Sequence, residues 1–238
     1  MINRDDLDHV QYYPTITCSG ILSLSGIVII SFIANQIIIH ICNLQDLDSM
    51  TDTSAQFMRK ASNYGLQEYL EIMGELSQIS TKKGLLSRLQ KELITYGLAL
   101  YKNCQRCISI HEREADNLKA TDFEFNQVKK IILFMNASPH GDSVLWDNWE
   151  YNWRDYSHSK IKERQQLREM VALAVAIVMQ HERQIYLHLT TALDSGITIE
   201  EIFEIVPLAM LMDGAPTLSQ IPTLLTYYDE YQKNNANV

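Results

Sequence analysis

Two cysteines three positions apart are the residues of this chain best suited to redox chemistry. Residues 104–111 read Cys-Gln-Arg-Cys-Ile-Ser-Ile-His, so the imidazole of His111 follows the second thiol by four positions. On a helix, Cys104, Cys107 and His111 share one face, because residues at i, i+3 and i+7 stack. Thiols at this spacing can form a disulfide, and the imidazole can accept or give a proton. The pattern therefore predicts a dithiol redox site.

Glu92 is the fourth candidate residue, because a carboxylate can orient an imidazole and stabilise its charged form. It lies twelve residues before Cys104. An ideal helix turns about 100° per residue, so on a single helix Glu92 would lie about 120° from the thiol face. A relay from Glu92 through the imidazole therefore requires a break between two helices, which we expect near residues 102–103. The alternative is an ordinary surface ion pair of Glu92 with Lys91 or Arg88.

Two other uses of the thiols are weaker interpretations. A structural zinc site needs four ligands. The remaining cysteines, Cys18 and Cys42, lie in an apolar segment and lack a matching spacing. The second alternative is a pair of buried, inert thiols. We predict neither a metal nor a cofactor for this site.

The composition favours helices and excludes some classes of partner. The chain has 238 residues, 46% of them hydrophobic and 21% charged, with only 9 Gly and 5 Pro to interrupt helices. Its net charge of −9 argues against non-specific nucleic-acid binding. Four cysteines are too few for a disulfide scaffold in a chain of this length.

The N-terminal part differs from the rest. No Asp, Glu, Lys or Arg occurs between Asp8 and Asp46, and residues 21–41 are apolar enough and long enough to span a bilayer. Polar residues interrupt this segment and no basic residue flanks it closely, so a buried helix is an equal alternative. We interpret residues 1–49 as an apolar extension or a possible membrane segment. A third possibility is that the physiological chain starts at Met50.

An internal repeat organises residues 50–238. With an offset of 77 residues, Lys91–Pro139 overlays Arg168–Pro216 without a gap. The identical pairs include Glu92 with Glu169, Ala99 with Ala176, Arg106 with Arg183, His111 with His188, Ala115 with Ala192, Thr121 with Thr198, Glu124 with Glu201, and Pro139 with Pro216. The pattern predicts one all-α domain made of two related halves, about 60–140 and 141–230.

The thiols themselves are not repeated. Cys104 becomes His181 and Cys107 becomes Gln184 in the second half. We interpret His181 and His188 as remnants of the lost motif.

The repeat also contains two signals for the start of a helix. In Thr121-Asp-Phe-Glu, and again in the repeat of this segment, a threonine is followed three positions later by a glutamate, which is the pattern of a capping box. Three tryptophans at 146, 149 and 153 form one helical stripe, which predicts a helix packed on the repeats or an interface.

The spacing of Glu92, Cys104, Cys107 and His111 resembles that of the carboxymuconolactone decarboxylase superfamily, and within it the AhpD-like alkylhydroperoxidases. The resemblance covers roughly residues 60–230. It implies an all-α fold with a duplicated helical unit and assembly as trimers or hexamers. Arg106 stands where AhpD often has a histidine.

The resemblance also implies a function. It suggests a dithiol peroxidase that reduces alkyl hydroperoxides through a Cys104–Cys107 disulfide, with Glu92 and His111 as proton relay. The implied partners are a peroxide and a dithiol reductant, for which a lipoyl-bearing protein is one candidate. The expected location is the cytoplasm, or a membrane through residues 21–41. The alternatives are a disulfide reductase, a redox sensor, and a lactone decarboxylase, whose members generally lack the two thiols.

Overall fold

Helices form all the regular structure in residues 56–139, 143–156 and 162–236, which are the residues that the computed structural model describes. Tyr64–Val238 forms one compact unit, and in the other unit, Met1–Asn63, only residues 56–63 are described and are helical. The all-α prediction is confirmed. The apolar segment 21–41 lies outside the described residues. No helix in the described ranges has the length and apolar character needed to cross a membrane.

The helices of the compact unit fall into two series. The first series is α1 (Gln67–Thr81), α2 (Arg88–Tyr101), α3 (Gln105–Asn117) and α4 (Asp122–Asn136). The second is α5 (Trp146–Tyr156), α6 (Lys162–Met179), α7 (Glu182–Asp194), α8 (Ile199–Phe203), α9 (Ile205–Asp213), α10 (Ala215–Leu218) and α11 (Ile221–Ala236).

The predicted duplication is confirmed helix by helix. The 77-residue offset places α3 on α7 and places α4 on α8 and α9 together. The break between α8 and α9 falls at Glu204. Pro207 accounts for it, because proline cannot donate a hydrogen bond to the carbonyl four residues earlier, that of Phe203. The equivalent residue in α4 is Lys130, and α4 is continuous.

Local sequence sets where these helices begin. Thr121 and Thr198 each accept a hydrogen bond from the backbone N–H three residues later, and the glutamate at that position completes a capping box. Both predicted capping boxes are therefore confirmed. Ser87 caps α2 in the same way, with Gln90 as its partner.

Two equivalent helices, α2 and α6, form the centre of the core. Residues 91–99 of α2 and residues 167–178 of α6 are all buried. The two helices approach closely at Gly97, where an added Cβ would lie 2.8 Å from Cγ1 of Val171 and 3.2 Å from Cγ1 of Val128. Any larger side chain at position 97 would separate α2 from α6 and α4.

The tryptophan helix α5 packs against residues of both halves. Trp146, Trp149 and Trp153 are buried, and the indole of Trp149 donates a hydrogen bond to the carbonyl of Phe134 at 2.9 Å. Trp153 meets the ring of His188 edge to face at 4.8 Å between centroids. These contacts confirm the interpretation that the stripe packs within the protein.

Glu204 joins the two series of helices at an ion pair. Its carboxylate accepts hydrogen bonds from the backbone N–H groups of Leu85 and Leu86 at 2.8 and 3.0 Å and lies 3.0 Å from Nζ of the buried Lys91. Burial alone would raise the pKa of Glu204, but these hydrogen bonds and the lysine charge outweigh it and lower the pKa. The carboxylate therefore stabilises the fold in its ionised form.

We expect Glu204→Gln to lower the free energy of unfolding by about 1–3 kcal/mol at neutral pH. Because folding lowers this pKa, the stabilisation is complete above the ordinary value of 4.5 and is lost as the pH falls through the folded value. The measurement is urea unfolding of both proteins from pH 7 to pH 3. The exposed Glu200→Gln is the matched control, and a stability difference that does not shrink in acid would contradict the assignment.

Candidate active site

The two thiols lie at the start of α3. Cys104 caps this helix, and its sulfur accepts a hydrogen bond from the N–H of Cys107 at 3.4 Å. The two residues are joined by a disulfide, with 5.3 Å between their Cα atoms. Both are half-buried. Cys104 has extended backbone angles, so it lies just outside the helix on which sequence spacing placed it, while Cys107 and His111 lie one turn apart on α3.

A left-handed residue separates α3 from α2. Helix α2 ends at Tyr101, and Asn103 has a φ of 52°. Asparagine tolerates this conformation better than most residues. The chain reverses tightly, and the N–H of Cys104 donates to the carbonyl of Ala99 at 3.1 Å. The predicted break near residues 102–103 is confirmed, and it allows Glu92 on α2 to face α3.

Glu92 and His111 meet across this break. Oε2 of Glu92 lies 2.8 Å from Nδ1 of His111, and both residues are buried. An ionised carboxylate only accepts hydrogen bonds, so in a pair with ionised Glu92 the donor is Nδ1. In the described part of the chain Nε2 of His111 has no hydrogen-bond partner. The contact with Glu92 therefore orients the imidazole and leaves its second nitrogen unengaged.

Arg88 lies next to the Glu92–His111 pair, although it was not among the predicted site residues. Its Nε lies 3.7 Å from Oε1 of Glu92, and its Nη2 donates to Glu114 at 3.0 Å. The i,i+4 spacing of Arg88 and Glu92 was the available signal. Glu92 is only 2% exposed and so is not a surface residue, although it does pair with Arg88 as the alternative expected. Lys91 pairs with Glu204 instead.

The second half keeps the geometry without the thiols. Nδ1 of His188 lies 2.8 Å from Oε2 of Glu169, the same distance as in the first half. His181 caps α7 as Cys104 caps α3, accepting a hydrogen bond from the N–H of Gln184 at 3.4 Å. Oε1 of Gln184 lies 2.8 Å from Nε2 of His188, so this second imidazole has both nitrogens engaged. The second half therefore lacks both the two thiols and the imidazole nitrogen that is unengaged in the first half.

The buried Tyr96 and the half-buried Tyr101 of the first half are neutral groups. Burial raises the pKa of Tyr96, and the neighbouring Glu112, 3.2 Å from its hydroxyl, raises it further. Burial also raises the pKa of Tyr101, although the charge of Lys102 opposes this. Both phenols are protonated at neutral pH.

One cavity lies at the second half, and neither cysteine of the dithiol is among its lining residues. It has a volume of about 530 Å³ and is lined by residues that include Gln180, His181 and Arg183. The 77-residue offset relates these to the dithiol loop, but they carry no thiol. Within the described residues, no group of three or more His, Cys, Asp or Glu side chains lies close enough together to hold a metal ion.

Comparison with protein families agrees with the duplicated fold. The sequence model of the carboxymuconolactone decarboxylase family matches twice, over residues 67–145 and 142–221. The two matches correspond to the two halves and together cover more than half of the chain. Searches of curated proteins and of solved structures find no match. The chain therefore belongs to the carboxymuconolactone decarboxylase family and contains two tandem copies of its helical unit.

Proposed function

We propose that this protein is a dithiol peroxidase of the AhpD type, which reduces alkyl hydroperoxides in antioxidant defence. One observation carries the proposal: the Cys104–Cys107 pair begins the helix on which His111 sits one turn later, and His111 is hydrogen-bonded to the buried Glu92. Thiol, proton carrier and orienting carboxylate are the groups that the reaction needs.

In the first step, the thiolate of Cys107 attacks one oxygen of the peroxide and the O–O bond breaks. A free thiol is mostly protonated at neutral pH, so the base that removes its proton controls the rate. His111 takes this proton on Nε2 and returns it to the departing alkoxide, which leaves as an alcohol. Cys107 becomes a sulfenic acid. Glu92 stabilises the imidazolium that forms between the two transfers.

In the second step, the thiol of Cys104 attacks the sulfenic sulfur, the disulfide forms and water leaves. The half-buried disulfide is then reduced by an external dithiol, which becomes a disulfide and returns two protons and two electrons. A dihydrolipoyl group is our candidate reductant. Such cycling needs a reducing compartment, so we place the protein in the cytoplasm.

We also propose that the protein is a homo-oligomer, a trimer or a hexamer. Helix α1 supports this, because its apolar residues Tyr69, Ile72 and Ile79 are 61–66% exposed. Aromatic and aliphatic side chains that are exposed along one helix are typical of contact surfaces.

A disulfide reductase is the second candidate function. The position of Cys104 favours it, because the partial positive charge of a helix N-terminus stabilises a thiolate at the cap. A stabilised thiolate is a good leaving group in thiol–disulfide exchange. In this case the protein would exchange disulfides with a partner and consume little peroxide.

The test is to count the thiols lost for each peroxide converted, in a variant whose only cysteines are Cys104 and Cys107. Cys18→Ser and Cys42→Ser remove the other two of the four cysteines. We expect the reduced protein to lose both remaining thiols for each equivalent of cumene hydroperoxide converted to its alcohol, and to turn over with dihydrolipoamide. Reduction of an added disulfide without peroxide consumption would support the reductase instead. Thiols unchanged in both assays would refute both functions.

A further inference from the structure

A small basic cavity lies away from the thiols, between α4 and the start of α6. Its volume is about 160 Å³, and three cationic side chains line it: Lys130, Arg164 and Arg168. No acidic side chain is among the lining residues in the described part of the chain, although the chain as a whole carries a net charge of −9. A concentration of positive charge in an acidic protein favours an anionic ligand.

The cations differ in their surroundings. Among the described residues neither Lys130 nor Arg164 forms an ion pair, and the guanidinium of Arg164 lies over the ring of Phe123 at 3.9 Å from its centroid. Arg168 is 2% exposed and contacts Oε1 of Glu169 through Nη2 at 2.8 Å. The cavity thus has a buried cation in its wall and two exposed cations at its rim.

Gln127 in the cavity wall has an unpartnered oxygen. Its Nε2 donates a hydrogen bond to the carbonyl of Arg164 at 2.7 Å, and because a carbonyl only accepts, this bond fixes the orientation of the amide. Gln127 is only 8% exposed, and among the described residues its Oε1 has no hydrogen-bond partner. A buried acceptor without a donor costs about 1–3 kcal/mol, so a ligand that supplies a donor here would be favoured.

The equivalent contact between the two halves shows which group belongs at this position. The 77-residue offset places Gln127 on Glu204 and Arg168 on Lys91. At that equivalent contact the carboxylate of Glu204 lies 3.0 Å from Nζ of Lys91, so the chain itself supplies the anion. At the basic cavity the amide of Gln127 stands in place of this carboxylate, and a volume of about 160 Å³ is open.

We propose that the basic cavity binds a small hydroxycarboxylate. Its carboxylate contacts the ammonium of Lys130 and the guanidinium of Arg164, and its hydroxyl donates a hydrogen bond to Oε1 of Gln127. Water occupies about 30 Å³ per molecule in the liquid, so the cavity accommodates a ligand of about five heavy atoms, the size of glycolate.

Calorimetric titration of the full chain with glycolate at constant ionic strength tests this site. We expect saturable one-to-one binding, tighter than that of acetate, which lacks the hydroxyl. Two variants are expected to weaken it at least about tenfold: Gln127→Glu, which installs the carboxylate of the other half, and Lys130→Gln, which removes a rim cation. Lys129→Gln is the matched control, because Lys129 is exposed and faces Glu112 at 3.8 Å.

Three results would overturn the proposal. They are absence of saturable glycolate binding, equal affinity in wild type and both cavity variants, and binding of inorganic phosphate or acetate as tight as that of glycolate. Circular dichroism of each variant verifies folding. If Gln127→Glu does not fold, Lys130→Gln still tests the site, because Lys130 is exposed and its replacement does not disturb the core. The thiols take no part, so failure of the peroxidase assay leaves this test intact.

Discussion

Replacing Cys107 by serine is expected to abolish peroxide turnover, with a loss of at least about a thousandfold, because a serine hydroxyl is not ionised at neutral pH and attacks peroxides poorly. Cys104→Ser is expected to abolish multiple turnover as well, since no disulfide forms. The two variants differ in one respect. Cys104→Ser still reacts once with peroxide and accumulates a sulfenic acid at Cys107.

Dimedone, which labels sulfenic acids, separates the roles of the two cysteines. In the chain without Cys18 and Cys42, peptide mass spectrometry after one equivalent of peroxide is expected to find the adduct on Cys107 in Cys104→Ser. No adduct is expected in Cys107→Ser. An adduct on Cys104 in the Cys107→Ser variant would show that Cys104 attacks the peroxide and that Cys107 resolves the sulfenic acid. Full turnover in Cys107→Ser would end the peroxidase hypothesis.

The second large effect is expected from Glu92→Gln, which keeps the size of the side chain and removes its charge. We expect the rate of the first peroxide reaction to fall about 10²–10⁴-fold, because the imidazolium of His111 loses its counter-charge in the proton transfer. We propose Glu92 as a positioning residue that acts through His111, so its loss is also expected to change the shape of the pH–rate profile. A merely structural role would leave that profile unchanged.

The repeat provides a matched control in Glu169→Gln. Glu169 makes the same 2.8 Å contact with its histidine, but it is fully buried and contacts the buried Arg168. We expect this variant to lose about 3 kcal/mol of stability while its thiol chemistry is kept. Stopped-flow peroxide kinetics and urea unfolding of both variants check this. Equal kinetic losses in the two would contradict the assignment of the active half.

Much of the fold could be predicted from the sequence because its signals are local. Capping boxes at Thr121 and Thr198 depend on residues three positions apart, and amphipathic spacing depends on a single turn of helix. The repeat added long-range information, because related sequences adopt related structures in the two halves. The break at Glu204 was not predicted, although Pro207 stands in the sequence to cause it.

The sequence by itself determined the thiols, the imidazole and the carboxylate, and the need for a chain break between them. The tertiary structure alone decided that Glu92 faces His111, because this contact depends on how α2 and α3 pack after the left-handed Asn103. The tertiary structure also decided that the imidazole of His188 in the second half has no unengaged nitrogen, because Oε1 of Gln184 contacts its Nε2. Spacing along the chain fixes which groups share a helix face, whereas contacts between helices depend on packing across the whole core.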